Sequence, residues 1–479
     1  MATFNSAGSG NANADATWTE AGQPTDADHA IIASGHTVTL TASEAWRSTR
    51  IIGTIAGGGQ TLTLSGASSN KPFDNDGTIT GDLNLVITNT GAQQDGTVVD
   101  MTGSSGNVND LTLNLANGTT ANKTVTLLGA TTLDGNLTIT SGTLDTDSSS
   151  NFALTVTGDV SVTGTLTGNA SAISMGNLTI VSGGTYSATS GTTTIKGNAS
   201  SSSNLAWANS GTFTHNGGTV LFDGTNTFGG SAYGHINPAT NTFNHLTINA
   251  DSKYIQPRTN GTTLTVSGNL TLTDGTLVNY GTQTPVLTVT GAATIADGAT
   301  IGGTDTSSAM NFGSLTIADG GTFIATSGTT TLNGVSSGGA YGWENLGGTF
   351  THNNGLVKFA HPSASHQSKE NTFYDLEIDM FNATATNKHR VASGSNLKIL
   401  GNLTLTQGIY EVDSSPELDI YGLTTIKSGT FNNDANHDDD KITHHGLVTV
   451  ASGATYKIND TTTVKMNGGI RQLGTLTIA

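Results

Sequence analysis

The chain repeats itself over a long period, and that period limits the folds open to it. Gly135-Asn136-Leu137-Thr138-Ile139 returns as Gly268-Asn269-Leu270-Thr271-Leu272 and again as Gly401-Asn402-Leu403-Thr404-Leu405, each copy 133 residues after the last. Gly211-Thr212-Phe213-Thr214-His215-Asn216 likewise returns as Gly348-Thr349-Phe350-Thr351-His352-Asn353, 137 residues on. In such an array each unit buries only part of its apolar surface, and neighbouring units cover the rest.

Composition agrees with a thin, repeated core. Hydrophobic residues are 34% of the 479, too few for one large globular interior, and charged residues are only 11%, too few to hold a chain open by repulsion. The formal net charge of −18, from 35 acidic and 17 basic residues, disfavours a nucleic-acid partner, because phosphate contacts need Lys and Arg. The chain has no Cys, which removes disulfides and thiolate metal sites. No run approaches the roughly 18 apolar residues of a membrane helix. Met1-Ala2-Thr3-Phe4-Asn5-Ser6 carries no basic and then apolar leader, so an extracellular role implies a route other than a Sec signal, such as lysis at the end of a phage infection.

Local text is that of short strands between turns. Thr61-Leu62-Thr63-Leu64, Leu83-Asn84-Leu85-Val86-Ile87, Leu111-Thr112-Leu113-Asn114-Leu115 and Thr124-Val125-Thr126-Leu127 alternate with period two, apolar residues to one face and mostly polar residues to the other. Apolar strand centres at Leu137, Leu154, Leu178 and Ile195 recur at about twenty residues, the length of one coil of a parallel β-helix. Residues 1–50 differ, with Trp18, Trp46, Pro24, Arg47 and Arg50. Their run from Pro24 to Leu40 reads as a turn, a short strand, a Gly turn and an alternating strand. Terminal units of a solenoid are usually atypical, so this segment is expected to be an N-terminal cap and first rung.

The opening Trp, the Pro-x-x-x-Asp turn and Ile-x-x-Gly-x-x-Val resemble the start of many bacterial and phage surface proteins built as β-solenoids. The layout Gly-Thr-Phe-Thr-His-Asn, Val-x-Phe, Asn-Thr-Phe-x-x-Leu-x-Ile, at 211–248 and 348–378, resembles the filamentous-haemagglutinin-like β-strand repeats of bacterial adhesins and phage fibres. The fold expected is all-β, a single-stranded right-handed parallel β-helix (β-solenoid) with an atypical N-terminal cap, handedness following the usual sense of parallel crossovers. The divisions expected are a cap at 1–50, degenerate rungs at 51–134, repeat blocks at 135–267 and 268–400, and a partial third block at 401–479.

Candidate chemistry is sparse. His437-Asp438-Asp439-Asp440 with His444 and His445 combines imidazole and carboxylate, the donor types of a divalent cation, but Asn432–His445 reads as a solvated loop. His215 and His352 read as strand-end residues bonding to a turn rather than as ligands. Asp74-Asn75-Asp76-Gly77 and Asp145-Thr146-Asp147 look faintly like calcium loops but lack the spacing of an EF-hand, and Asp at a turn bonds its own backbone. Glu377 with Asp379, and Glu411 with Asp413, lie two apart on a strand face, as a glycosidase pair would need, though nothing sets them apart from a soluble outer face. Trp207 and Trp343 fall in Ser- and Gly-rich stretches and are expected on protruding loops. Recurrent Thr-x-Thr pairs, as at 61–63 and 192–194, suggest ice-binding ladders, but their irregular spacing favours Thr simply as a strand former. Asn136, Asn269 and Asn402 open Asn-x-Thr triplets, weak as glycosylation sites without a secretory signal.

No nucleophile elbow, phosphate loop or dinucleotide fingerprint occurs. Accordingly no catalytic, cofactor-binding or metal residue is assigned, and no cofactor is expected. The resemblance implies a structural, adhesive fibre protein: first a phage virion component such as a tail fibre, spike or surface fibre, then a bacterial cell-surface adhesin, then a polysaccharide-degrading tailspike. Its location would be the virion or the cell exterior. Expected partners are a virion or surface protein at the termini, further copies of the chain (a trimer by analogy), and a host-surface glycan or protein, with no nucleic acid and no membrane insertion. The apolar final strand, Leu473 to Ala479, is expected to be covered by a partner subunit or another copy.

Overall fold

The structure, a computed structural model, describes residues 2–66, 71–88, 97–103, 105–115, 123–197, 205–224, 233–237, 242–257, 263–278, 286–302, 307–335, 341–361, 366–369, 372–381, 388–391, 396–412, 417–433, 441–458 and 463–478. Among these the chain is an all-β parallel solenoid whose one helical piece is a single 3-10 turn, Asp15–Thr17. Short strands pair with strands one coil away rather than with their chain neighbours. The alternating text dictates this, since a strand of three to five residues with one apolar face can bury that face only against another coil.

The described residues fall into two compact units, Met1–Asn244 and His245–Ala479. In the first, a ten-stranded parallel ladder begins at Thr3–Asn5 and His29–Ile32 and ends at Thr185–Ser187 and Thr212–Thr214. Its interior is made of columns. Leu62, Leu85, Leu111, Leu137, Val160, Leu178 and Trp207 stand opposite one another in successive coils, all buried. In the second unit Leu246, Leu270, Ala293, Leu315 and Trp343 form such a column. Each fully buried Leu contributes about 1.5–3 kcal/mol, so stability is spread along the ladder.

The Trp positions correct the sequence expectation. Trp207 and Trp343 are not on protruding loops but lie on the strands Leu205–Asn209 and Tyr341–Asn345, wholly buried. Trp207 packs against Phe213 and Phe243 at ring-centroid distances of 4.9 and 5.2 Å, and Trp343 against Phe350 and Phe373 at 4.7 and 5.5 Å. The inner column accepts an indole where the next strand offers Phe, and that pressure overrides the Ser and Gly around it.

The repeated Gly-Asn-Leu-Thr text has a geometric cause. It forms the corner that enters one sheet, where successive coils come closest. Gly158 donates its amide to Gly135 O at 2.8 Å, Gly291 to Gly268 O at 2.9 Å and Gly422 to Gly401 O at 2.8 Å. The Asn beside each reaches the next coil: Asn136 Oδ1 accepts from Asp159 N at 2.8 Å, Asn269 Oδ1 from Ala292 N at 3.1 Å, and Asn402 Oδ1 from Leu423 N at 2.9 Å. Their own amides are received by Asp110, His245 and Asp375 of the preceding coil. The Asn triplets are thus a ladder of backbone caps, which satisfies amides a corner would otherwise leave unpaired.

A Cβ on Gly422 would stand under 3.0 Å from Gly401 O and C, both backbone atoms that cannot swing away. Gly422→Ala is therefore expected to cost about 1–3 kcal/mol through overpacking. Gly8→Ala, with nothing within 4 Å of the added atom, should change little. Thermal unfolding of the two variants checks the difference, and equal melting temperatures would contradict the close-corner account.

The last coil is the least covered. Thr475–Ile478 pairs with Thr455–Ile458, and Leu473 and Ile478 are 58% and 73% exposed.

Candidate functional site

The outer faces carry the polar chemistry, arranged as ladders across coils. Glu377 and Asp379 lie on Asp375–Asp379, and Lys358 of the preceding coil bridges them, with Nζ 3.3 Å from Glu377 Oε1 and 2.6 Å from Asp379 Oδ2. From the following coil Thr406 donates to Glu377 Oε1 at 2.7 Å and Gln407 to Asp379 Oδ1 at 2.7 Å. Burial alone would push the Asp379 carboxyl up, but Lys358 and Gln407 outweigh it and hold the group below the ordinary carboxylate range. A glycosidase acid must instead be raised to keep its proton near neutral pH. Among the described residues burial pushes up the carboxyl of Glu44, which is half-buried.

The second pair behaves similarly where described. Glu411 is 3% exposed and accepts from Lys388, from Arg390 Nε at 3.1 Å, and from Asn432 Nδ2 at 3.2 Å. A buried carboxylate with these partners is satisfied as an anion. Asp413 lies outside the described residues.

Asp74 and Asp76 converge with Asp100 of the next coil, each offering an oxygen within 4.8 Å of the others. Two cations already occupy the cluster. Lys71 Nζ is 2.7 Å from Asp74 and 3.2 Å from Asp100, and Arg50 Nη2 is 2.9 Å from Asp76. This convergence of 74, 76 and 100 was not legible in the sequence, because the third carboxylate is supplied by a coil about twenty-five residues on. Asp145 and Asp147 act as turn residues: Asp145 Oδ1 accepts from Asp147 N at 2.8 Å, and Asp147 Oδ1 from Ser149 N and Ser150 N, each at 2.8 Å.

The two Phe-Thr-His-Asn histidines bond to turns. His215 Nδ1 accepts from Gly217 N at 3.0 Å and His352 Nδ1 from Asn354 N at 3.0 Å. The neighbouring Asn216 and Asn353 adopt φ of 49° and 45° and donate to Ala188 O and Ala325 O of the coil before, each at 2.7 Å.

His437 to Asp440 lie outside the described residues. His444, read from sequence as part of the same loop, is instead a strand residue, while His445 follows it in the connection to Val448–Val450. His444 ends the strand Lys441–His444 with its ring fully buried. Nδ1 is 2.8 Å from Thr424 Oγ1 and Nε2 2.9 Å from Tyr456 Oη, so a Thr–His–Tyr chain crosses the core. Burial holds the His444 pKa down to about 4, and the phenol of Tyr456 is pushed up for the same reason. The signal was the alternation Lys441-Ile442-Thr443-His444, which turns Ile442 and His444 to one side. His445 faces out, stacked on Tyr421 at 4.5 Å and 3.6 Å from Asp419. The pair therefore diverges and does not form a joint ligand set.

A small apolar hollow in the second unit is lined by Pro257, Leu264, Leu277, Leu287, Ile301 and Met310 among others. It has no convergent polar groups of the kind that orient a substrate. Comparison with known proteins leaves the reading to geometry: no family model, no curated protein and no solved structure matches the chain.

Proposed function

We propose that this chain is a structural and adhesive solenoid that presents its flanks as a binding surface, in first place as a fibre or spike component of a phage virion. The observation that carries the reading is the use of the flank acids. Glu377, Asp379 and Glu411 are held by cations from neighbouring coils, so they stiffen the ladder, and Asp379 lies below the ordinary carboxylate range where a glycosidase acid must lie above it. A regular, cysteine-free stack of coils in each unit suits a protein whose work is to hold a surface in place. The partners that fit are a virion or cell-surface protein, further copies of the chain, and a host-surface glycan or protein.

Mass spectrometry of purified particles, with immunogold labelling of virions against cells, tests the assignment. Label confined to bacterial cells would move the protein to the adhesin reading, in which the same flanks serve a cell surface. A third experiment bears on catalysis: incubation with capsular polysaccharide should release no new reducing ends, and sustained turnover would overturn the non-enzymatic reading.

A further inference from the structure

One face of the first unit is unlike its others. The strands Thr124–Leu127, Thr143–Asp145, Thr165–Thr167, Thr185–Ser187 and Thr212–Thr214 stack in unbroken register. Thr124, Thr143, Thr165, Thr185 and Thr212 stand opposite one another and form one outward column. Two residues along, Thr126, Asp145, Thr167, Ser187 and Thr214 form a second. Between the columns Val125, Leu144, Leu166 and Tyr186 point inward and are buried.

The sequence spacing of these pairs is irregular, because the turns between them differ in length. Pairing removes the irregularity. Strand neighbours lie about 4.8 Å apart and alternate residues of one strand about 6.6 Å apart. The hydroxyls therefore sit on a two-dimensional grid. β-branching limits each Thr at χ1, so the grid is largely ordered before anything binds. Among the described residues no hydrogen bond within the protein engages the hydroxyls of the first column. In the second, Ser187 Oγ accepts from Asn216 Nδ2 at 2.9 Å, and the one charged member, Asp145, is bonded to Asp147 N and to Asn169 Nδ2 at 2.8 and 2.7 Å.

We propose that this paired threonine face binds the surface of an ice crystal. Three properties select that ligand. The face is almost free of charge, as is the lattice of ice. Its threonine hydroxyls are unspent and repeat in two directions at spacings of the same size as the oxygen repeats of hexagonal ice. Each threonine hydroxyl stands beside a methyl group, which orders the water around it rather than dispersing it. Strand propensity accounts for any one Thr. It does not account for two adjacent columns: the sheet carrying Thr132, Thr155, Ser174 and Thr194 presents one continuous outward column over the same coils. The proposal is independent of the virion assignment.

The test uses the full chain, fluorescently labelled, with ice growing slowly from dilute solution, and an ice-recrystallisation assay alongside. The wild type should enter the ice and keep grains small. Thr165→Lys with Thr185→Lys should abolish both effects. Thr155→Lys with Thr194→Lys, on the other sheet, should leave both intact. Thr165→Ser with Thr185→Ser removes only methyl groups, preserves the fold if lysine does not, and should weaken both effects. A wild type excluded from ice, a lysine pair on this face that still enters it, or equal loss from the two lysine pairs would each overturn the proposal.

Discussion

Trp343→Ala should destabilise the second unit by about 3–5 kcal/mol, the range for removing a buried aromatic side chain from a close-packed core. The indole is wholly buried and touches Phe323, Phe350 and Phe373 at centroid distances of 5.6, 4.7 and 5.5 Å, mostly edge to face. Truncation removes the transfer free energy and three ring contacts together, and β-strands tied into a ladder on both sides cannot close the gap. Trp343→Phe keeps a ring in the column and should lose less. Hydrogen exchange is the suitable measurement, because a ladder opens locally before it opens globally. Amides of Met310–Ile317, Tyr341–Asn345 and Leu356–Phe359 should lose protection together. Unchanged protection there would mean that the aromatic cluster is not holding neighbouring coils.

Acid should loosen the coils around His444 in a pH window above that of the paired carboxylates. The folded pKa of about 4 lies below the value of about 6.5 expected in an unfolded chain. The group thus contributes stability that is complete above pH 6.5 and is lost as pH falls toward 4. The shift corresponds to roughly 3 kcal/mol. Protonation would place a cation between Thr424 and Tyr456, beside Phe431 and one residue from His445, with both ring nitrogens obliged to donate. Asp379 and Asp100 are held below the carboxylate range, so their contribution is lost only below about pH 4. The two windows can therefore be separated. His444→Gln should make the profile shallower between pH 6.5 and 4, leaving the smaller share of His29 and His361, which burial also shifts down, and should leave the lower limb in place. A wild-type profile already flat across that window would refute a buried, neutral imidazole.

The sequence made the architecture legible because a coil has few ways to be written. Period-two text, a glycine at each close corner and an Asn beside it recur wherever the backbone makes the same contact, as at Gly135, Gly268 and Gly401. The run from Pro24 to Leu40 holds the two expected strands, His29–Ile32 and Thr37–Thr39, about a turn in which Gly35 has φ of 79°. What stayed hidden depends on register between coils. Trp207 and Trp343 were misread because their flanks are loop-like, while the Phe residues that receive them lie downstream. The alignment of the threonine columns is visible only in the pairing, because turns of variable length separate their members in the sequence. His444 was grouped with the acidic segment before it, although Ile442 marks its inward face. The carboxylates at 74, 76 and 100 meet only once the chain has gone round again.

The corner ladder bears on how such a chain changes length. At each of the three repeat corners the turn offers the following turn a glycine carbonyl and an Asn side-chain acceptor, and takes a side-chain acceptor from the turn before. A segment duplicated from one corner to the equivalent corner would thus insert without a seam, since the joint it makes is one the protein already contains. The three copies at Gly135, Gly268 and Gly401 have the spacing that such copying would leave, and each still bonds to the turn above and below it. Reach could then be adjusted in whole turns by recombination, with no new interface to invent.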